Sequence, residues 1–312
     1  MIVKEAFVAE TWSAESVWNG PPRNRVPLEG HLHRLMDRGH QSVIGFLGDH
    51  VNRRLRMIRT YTSYGELGDL QVLVDNHERL GQVRDENGDH LDVNITQIPA
   101  LVVICLCEAM AASVCLMAHG QLPDDQGRWQ PGFGNGNAPN PPWPHNIIHR
   151  DIKPRNYFLT ECRDPTRWHG LPIAALGDFG NGFDARNPPT ETKGMGTPGH
   201  QAPEQEPNRF PVTSATNVFQ VGLVMHELMT LSQPSHQPSF QPRRETLFPM
   251  VDTRFYPADL AAIAQRCIRS DIGRRPSPKA LYLSMRNLAN GTALDGTPRH
   301  SWCKLTWKSN MQ

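Results

Sequence analysis

The stretch Ile147-Ile148-His149-Arg150-Asp151-Ile152-Lys153-Pro154-Arg155-Asn156-Tyr157-Phe158-Leu159 places a carboxylate, a lysine and a carboxamide close together between apolar flanks. Both flanks are expected to be buried, so the polar residues lie on a loop held between anchored ends, where function-bearing side chains concentrate. Further on comes Asp178-Phe179-Gly180, preceded by the apolar Ala174-Ala175-Leu176. Glycines on both sides of Asp178 permit tight turns and close backbone approach.

These groups make a sufficient set for phosphoryl transfer. The charge of a triphosphate must be offset by metal and ammonium groups, and the attacking hydroxyl must be oriented in line. Magnesium prefers oxygen ligands and takes only one or two from protein, the rest from water and phosphate. One carboxylate (Asp178), one amide (Asn156), a second carboxylate for the hydroxyl (Asp151) and one lysine (Lys153) meet those needs.

His149-Arg150-Asp151, Asp178-Phe179-Gly180 and Ala202-Pro203-Glu204, in this order, resemble the catalytic core of the eukaryotic protein kinases. Lys153-Pro154-Arg155-Asn156 resembles the serine/threonine branch. The resemblance implies that Asp151 is the catalytic base, that Lys153 contacts the γ-phosphate of ATP, and that Asn156 and Asp178 bind Mg2+. It implies that Thr197, after Gly196, lies on the substrate-side loop. Arg275 resembles the buried arginine that pairs with the glutamate of Ala-Pro-Glu, here Glu204, so both are read as structural. Arg150 resembles the arginine that pairs with an activation-loop phosphate, here expected at Thr190 or Thr192. Asn217 stands where the family usually has aspartate. An amide can keep some hydrogen bonds but loses the charge, which bears on the rigidity of the catalytic loop.

Towards the N-terminus, Ile2-Val3-Lys4 resembles the strand whose lysine holds the α- and β-phosphates. Glu29, followed at helical spacing by Leu32 and Met36, is the candidate helix partner of Lys4, with Glu15 as its competitor. On this reading the glycine-rich loop that normally precedes the lysine strand is missing, either by truncation before Met1 or because the chain lacks it. The expected fold class is α+β: a bilobal, protein-kinase-like fold with a small, truncated β-rich N-lobe (residues 1–64) and a larger, mostly helical C-lobe (65–312).

The rest of the chain sets bounds. Among 312 residues, 32 basic and 31 acidic side chains give a net charge of +1, without the basic excess of bulk nucleic-acid or membrane-surface binding. Six cysteines form no C-x-x-C pair and read as buried thiols of an intracellular, cytoplasmic or nuclear protein. The apolar run Ile98–Met117 nearly spans a bilayer by length but contains Glu108, and reads as a core helix. Asn94-Ile95-Thr96 matches a glycosylation sequon without a secretory signal beside it. Gln121–Pro144 is a Gly/Pro/Asn-rich insertion, and its Gly132-Phe133-Gly134-Asn135-Gly136 lacks the strand context of a phosphate loop. Asp85, Asn87 and Asp89 lack the glutamate of a calcium loop and read as a solvated loop. Helices are expected from Pro27 to Gly39, from Leu67 to Val74, from Ala100 to His119, from Val218 to Leu231, from Pro257 to Arg269 and from Pro276 to Leu288. Strands are expected at Val43–Leu47 and Leu55–Tyr61.

Two functions fit: a serine/threonine protein kinase moving the γ-phosphate of ATP to a protein hydroxyl, or a catalytically impaired pseudokinase acting as a scaffold. The complete catalytic loop favours the first and the missing glycine-rich loop the second. A small-molecule kinase ranks last, because such enzymes typically lack Ala-Pro-Glu and its arginine. The sequence carries no sign of oligomerisation.

Overall fold

Pro27 ends a short ladder, and with its φ held near −56° it leads directly into the first helix. The structure is a computed structural model that describes residues 1–21, 24–82, 96–129, 143–162, 168, 171–189, 194–206, 211–232 and 250–292. The ladder pairs Trp18–Asn19 (β2) with Val26–Pro27 (β3), after an N-terminal strand, Ile2–Phe7 (β1). Helix α1 (Leu28–Met36) buries Gly30, Leu32, His33 and Met36 along one face. Strands β4 (Phe46–Asn52) and β5 (Met57–Thr62) follow. They join β1 in an antiparallel sheet of order β1-β5-β4, which opposes Lys4 to Thr60.

The strand expected at Val43–Leu47 starts later, at Phe46. Val43 and Ile44 are buried by a different contact: Ile44 N donates to Leu176 O at 2.9 Å, and Leu176 N to Ser42 O at 2.9 Å. Their apolar character records packing against the body of the molecule, not membership of the sheet. Helix α2 (Leu70–Gln82) runs beyond its expected end at Val74, with Leu70, Leu73, Val74 and His77 buried at helical spacing. Asp85, Asn87, Asp89, Asn94 and the Gly132–Gly136 run lie outside the described residues.

Helix α3 (Ala100–His119) is long and apolar enough to cross a membrane, but every residue from Val102 to Met117 is buried inside the molecule. It stops at Gly120, whose φ of +66° lets its N–H close on Leu116 O at 2.7 Å. A Cβ at Gly120 would strike the ring of Trp143. That ring lies under the Arg38 guanidinium, 4.6 Å away, and its Nε1 donates to Met117 O at 3.2 Å, so the chain after α1 is fastened to the end of α3.

After residue 144, Ile147–Ile148 (β6) leads into the loop from His149 to Asn156. Tyr157–Glu161 (β7) and Pro172–Leu176 (β8) form an antiparallel hairpin over α3. Phe183–Asp184 (β9) pairs back onto β6. Helices α4 (Ser214–Thr230), α5 (Ala258–Cys267) and α6 (Pro278–Gly291) complete the core, with α3 packed against α4 and α6. Thr213 and Ser277 cap α4 and α6 by accepting from Ala215 N and Ala280 N. The fold is thus a mixture of helices and strands, with one three-stranded sheet near the N-terminus and helices dominating after residue 100.

Candidate functional site

The β7–β8 hairpin brings two distant motifs together. Its register opposes Tyr157 to Leu176, so the residues just outside it, Asn156 and Gly177, also meet: Gly177 N donates to Asn156 O at 2.9 Å. Asp178 follows in the left-handed region, at φ +56°. Strands β6 and β9 close the other side of the same loop.

His149 holds the loop from beneath. Burial pulls its pKa down, so the ring is neutral at neutral pH. Its Nε2 lies 3.0 Å from Gly177 O, a contact that only a protonated Nε2 makes favourable. The remaining Nδ1 then accepts from Asp151 N at 3.3 Å. Phe179 stacks between His149 and His33 of α1, with ring centroids 5.1 Å from each. Helix α1, Asp178-Phe179-Gly180 and the loop that begins at His149 therefore share one buried aromatic contact.

Asp151 is buried and surrounded by donors. Its Oδ1 accepts from Thr197 N at 2.9 Å and from Thr197 Oγ1 at 2.7 Å. Its Oδ2 accepts from Lys153 Nζ at 3.0 Å and Asn181 Nδ2 at 3.3 Å. Lys153 Nζ also donates to Thr197 Oγ1 at 2.7 Å. Thr197 comes this close because Gly196 has φ +102° and no side chain: a Cβ there would run into Arg150 O. Asn156 Nδ2 donates to Asp151 O at 2.8 Å, and its Oδ1 makes no hydrogen bond to any described residue.

On the far side of Asp178, Lys4 Nζ lies 3.0 Å from Glu29 Oε1 and 2.5 Å from Asp178 Oδ1. Strand β1, helix α1 and the turn after β8 thus meet at one ammonium. Burial alone would lower the Lys4 pKa, but the two carboxylates outweigh it and raise it. For Asp178, too, burial opposes the charge and Lys4 outweighs it, so its pKa falls. Glu29 moves the other way: burial raises its pKa more than Lys4 lowers it. The difference follows depth, since the Glu29 side chain is 18% exposed and the Asp178 side chain 40%. Ion pairs this open contribute about 0–1 kcal/mol to folding. Their weight lies in placing charge. The side chain of Glu15, the competing partner, lies outside the described residues.

Arg150 has φ +66°. Its Nε donates to Asn181 O at 2.5 Å, and its guanidinium lies 5.0 Å from the Phe183 ring centroid. Burial brings its pKa down to about 10, so it stays charged at neutral pH. Thr190 and Thr192, the proposed phosphate positions, lie outside the described residues. Glu204 and Arg275 form a bidentate pair, with NH1–Oε1 at 2.6 Å and NH2–Oε2 at 2.9 Å. Thr216 Oγ1 adds a bond to Glu204 Oε1 at 2.8 Å, and Arg275 Nε donates to Arg269 O at 2.7 Å.

The loop's supports differ from those expected. Asn217 uses both ends of its amide: Oδ1 accepts from His149 N at 3.0 Å and Nδ2 donates to Ile147 O at 2.9 Å. Two buried glutamines converge on Arg150 O, Gln205 Nε2 and Gln220 Nε2, each at 2.9 Å. Gln220 Oε1 also accepts from Ile152 N at 3.3 Å. Neutral amides from the Ala-Pro-Glu turn and from α4 therefore anchor the His149–Asn156 loop. Gln205 and Asn181 directly follow Ala-Pro-Glu and Asp-Phe-Gly, and Gln220 lies between Phe219 and Val221, but nothing in the sequence shows what they touch.

The protein kinase domain family matches residues 143–284. The serine/threonine-protein kinase PkaA of Streptomyces coelicolor is 32% identical over 157 residues, 46% of this chain and 26% of that protein. The G2-specific protein kinase nim-1 of Neurospora crassa is 23% identical over 266 residues, 83% of this chain and 28% of that protein. The G2-specific protein kinase nimA of Emericella nidulans is 24% identical over 265 residues, 83% of this chain and 34% of that protein. The chain thus spans about a quarter to a third of the length of these relatives. The family match takes in the loop that holds Asp151, Asn156 and Asp178, so residues 143–284 resemble a protein kinase domain.

Proposed function

We propose that this chain is an ATP-dependent serine/threonine protein kinase, with a small β-rich lobe over residues 1–64, a larger helical lobe over 65–312, and the reaction taking place between them. The observation that carries the reading is the junction at Lys4. One ammonium links Glu29 on α1 to Asp178, and Lys4 and Asp178 are 174 residues apart in the chain.

In this reading Lys4, held by Glu29, receives the α- and β-phosphates, and Lys153 meets the γ-phosphate. Asp151 orients the acceptor hydroxyl. The hydroxyl oxygen bonds to the γ-phosphorus as the bond to the β-bridging oxygen breaks. The hydroxyl proton passes to Asp151, and ADP leaves. Thr197 and Lys153 hold the two oxygens of Asp151 in register for that transfer. Asn156 and Asp178 suit a hard divalent cation: one offers an amide oxygen unengaged by described residues, the other a half-exposed carboxylate of lowered pKa. Among the described residues no group of three or more His, Cys, Asp or Glu is placed to hold a metal, as fits a cation whose other ligands are phosphate and water. Mg2+ is the proposed ion, and when bound it would offset phosphate charge. The substrate is a protein carrying serine or threonine. An intracellular location is part of the proposal, supported by the five buried cysteines among the described residues, none of them in a disulfide.

Lys4→Met tests the reading. Removing the ammonium should raise KM for ATP and lower kcat/KM by about 10- to 1000-fold, since a charged phosphate contact in a partly dry site contributes about 1.5–4 kcal/mol. The melting temperature should change little, given the exposure of the ion pairs. Steady-state transfer to a generic basic protein measures the first, and thermal unfolding the second. Unchanged kinetics would remove Lys4 from the site, and no transfer by the wild type would leave a scaffold.

A further inference from the structure

Asp151 Oδ2 has a neighbour that belongs neither to the catalytic loop nor to the substrate-side segment. Asn181 directly follows Asp178-Phe179-Gly180, in a tight turn closed by Gly182 N on Phe179 O at 2.9 Å. Its backbone is fixed by Arg150, whose Nε donates to Asn181 O at 2.5 Å. Its side chain is half-buried and directs Nδ2 to Asp151 Oδ2 at 3.3 Å.

A carboxylate offers about four lone-pair sites. In Asp151 they are taken by Thr197 N, Thr197 Oγ1, Lys153 Nζ and Asn181 Nδ2. An acceptor hydroxyl that donates to this carboxylate must displace one of them. Thr197 N belongs to the backbone, and Lys153 Nζ and Thr197 Oγ1 are bonded to each other at 2.7 Å as well as to Asp151. The Asn181 bond is the longest of the four, and its side chain hangs from a fixed backbone. Asn181 is therefore the donor that leaves at least cost.

We propose that Asn181 is a positioning residue for phosphoryl transfer: its amide holds Asp151 Oδ2 in the orientation that receives the acceptor hydroxyl, and yields that place when the hydroxyl arrives. The proposal rests on the kinase reading above. It assigns a role to a residue that no motif in the sequence singles out, and it makes the turn after Asp178 part of the acceptor side of the site as well as the nucleotide side.

The test compares Asn181→Leu, Asn181→Asp and Asn181→Ser in the full chain, by kcat, by KM for ATP and for a serine-containing peptide, and by thermal melting. Asn181→Leu removes the donor and should lower kcat about 3- to 10-fold, the usual effect of losing one modest hydrogen bond. Asn181→Asp puts a second carboxylate against Oδ2 and should lower kcat further. Asn181→Ser keeps a donor and should recover part of the loss relative to Leu. KM for ATP should stay within about twofold throughout, because Asn181 Nδ2 bonds to Asp151 and to none of the groups assigned to ATP. Should the leucine variant fail to fold, Asn181→Asp against Asn181→Ser carries the comparison. A wild type that transfers phosphate while the leucine and aspartate variants keep kcat within about twofold would overturn the role of Asn181 alone. So would a loss carried entirely by KM for ATP. A wild type with no transfer would overturn the kinase reading and this role with it.

Discussion

Asp151→Asn is expected to lower kcat by about 100- to 10,000-fold, the range general-base groups contribute, while the protein stays folded. The substitution keeps shape and replaces the proton-accepting carboxylate with an amide. The surroundings explain why structure should survive. Asn156 bonds to the Asp151 backbone oxygen, not to its side chain, and His149 holds the Asp151 N–H. The loop is further anchored through Arg150 O by Gln205 and Gln220. What the variant loses is the negative charge facing Lys153 and Thr197. Far-ultraviolet circular dichroism and a melting curve should overlay those of the wild type within a few degrees, whereas single-turnover transfer should collapse. A variant with more than about a tenth of wild-type turnover would show that Asp151 takes no proton.

The second large effect concerns folding. Arg275→Leu should destabilise the protein by about 3–5 kcal/mol, because it leaves the Glu204 carboxylate buried with its main counter-charge gone. Glu204 and Arg275 side chains are at most 1% exposed and meet through two bonds of 2.6 and 2.9 Å. Thr216 alone cannot replace a guanidinium there. Arg275→Lys should also be costly, since an ammonium forms neither the bidentate fork nor the bond from Nε to Arg269 O. Replacing both partners, as in Glu204→Leu with Arg275→Met, should recover part of the loss, because no charge is then stranded. Urea unfolding of the four proteins measures the series. A cost below about 1 kcal/mol for Arg275→Leu would show that water reaches Glu204 and that the pair is not structural. A typical domain has only about 5–15 kcal/mol in hand, so this pair marks a point at which a surface-sparing substitution can unfold the whole protein.

How much of this was legible in the sequence varies with how local the signal is. The loop from His149 to Asn156 and the Asp178 turn are short runs whose polar residues stand out against apolar flanks, and both lie where those flanks imply. Helix α3 was readable from its long apolar run, in which Glu108 is the one charged residue; its carboxylate accepts from Trp168 Nε1 at 2.7 Å and from Arg286 at 3.1 Å. Lys4 and Glu29 were different. Nothing local distinguishes either from a surface charge, and they became candidates only by resemblance. The structure brings them together at 3.0 Å.

Other features depend wholly on tertiary placement. The two-ended use of Asn217, the convergence of Gln205 and Gln220 on one carbonyl, and the contact from Asn181 to Asp151 arise between segments up to 70 residues apart. The amide at 217 lacks the family's charge but keeps hydrogen bonds at both ends, from His149 N and to Ile147 O, with two glutamines adding bonds to Arg150 O. The cluster of Trp12, Trp18 and Arg25 beside α1 was equally silent in the sequence. Its rings lie edge to face at 4.9 Å, with the guanidinium 4.4 Å from Trp18, yet the residues are spread over an irregular, polar segment with no period.

The most direct measurement is transfer of labelled γ-phosphate from ATP to a serine-containing protein, followed in time with Mg2+ present and with Mg2+ chelated, for the wild type and for Asp178→Asn. The expected result is Mg2+-dependent labelling on serine or threonine by the wild type and a loss of at least about 100-fold in the variant, which keeps the shape of the side chain but not the carboxylate that Lys4 and the cation would share. Equal labelling by the two proteins, or labelling indifferent to Mg2+, would contradict the assignment of Asp178 and with it the central claim.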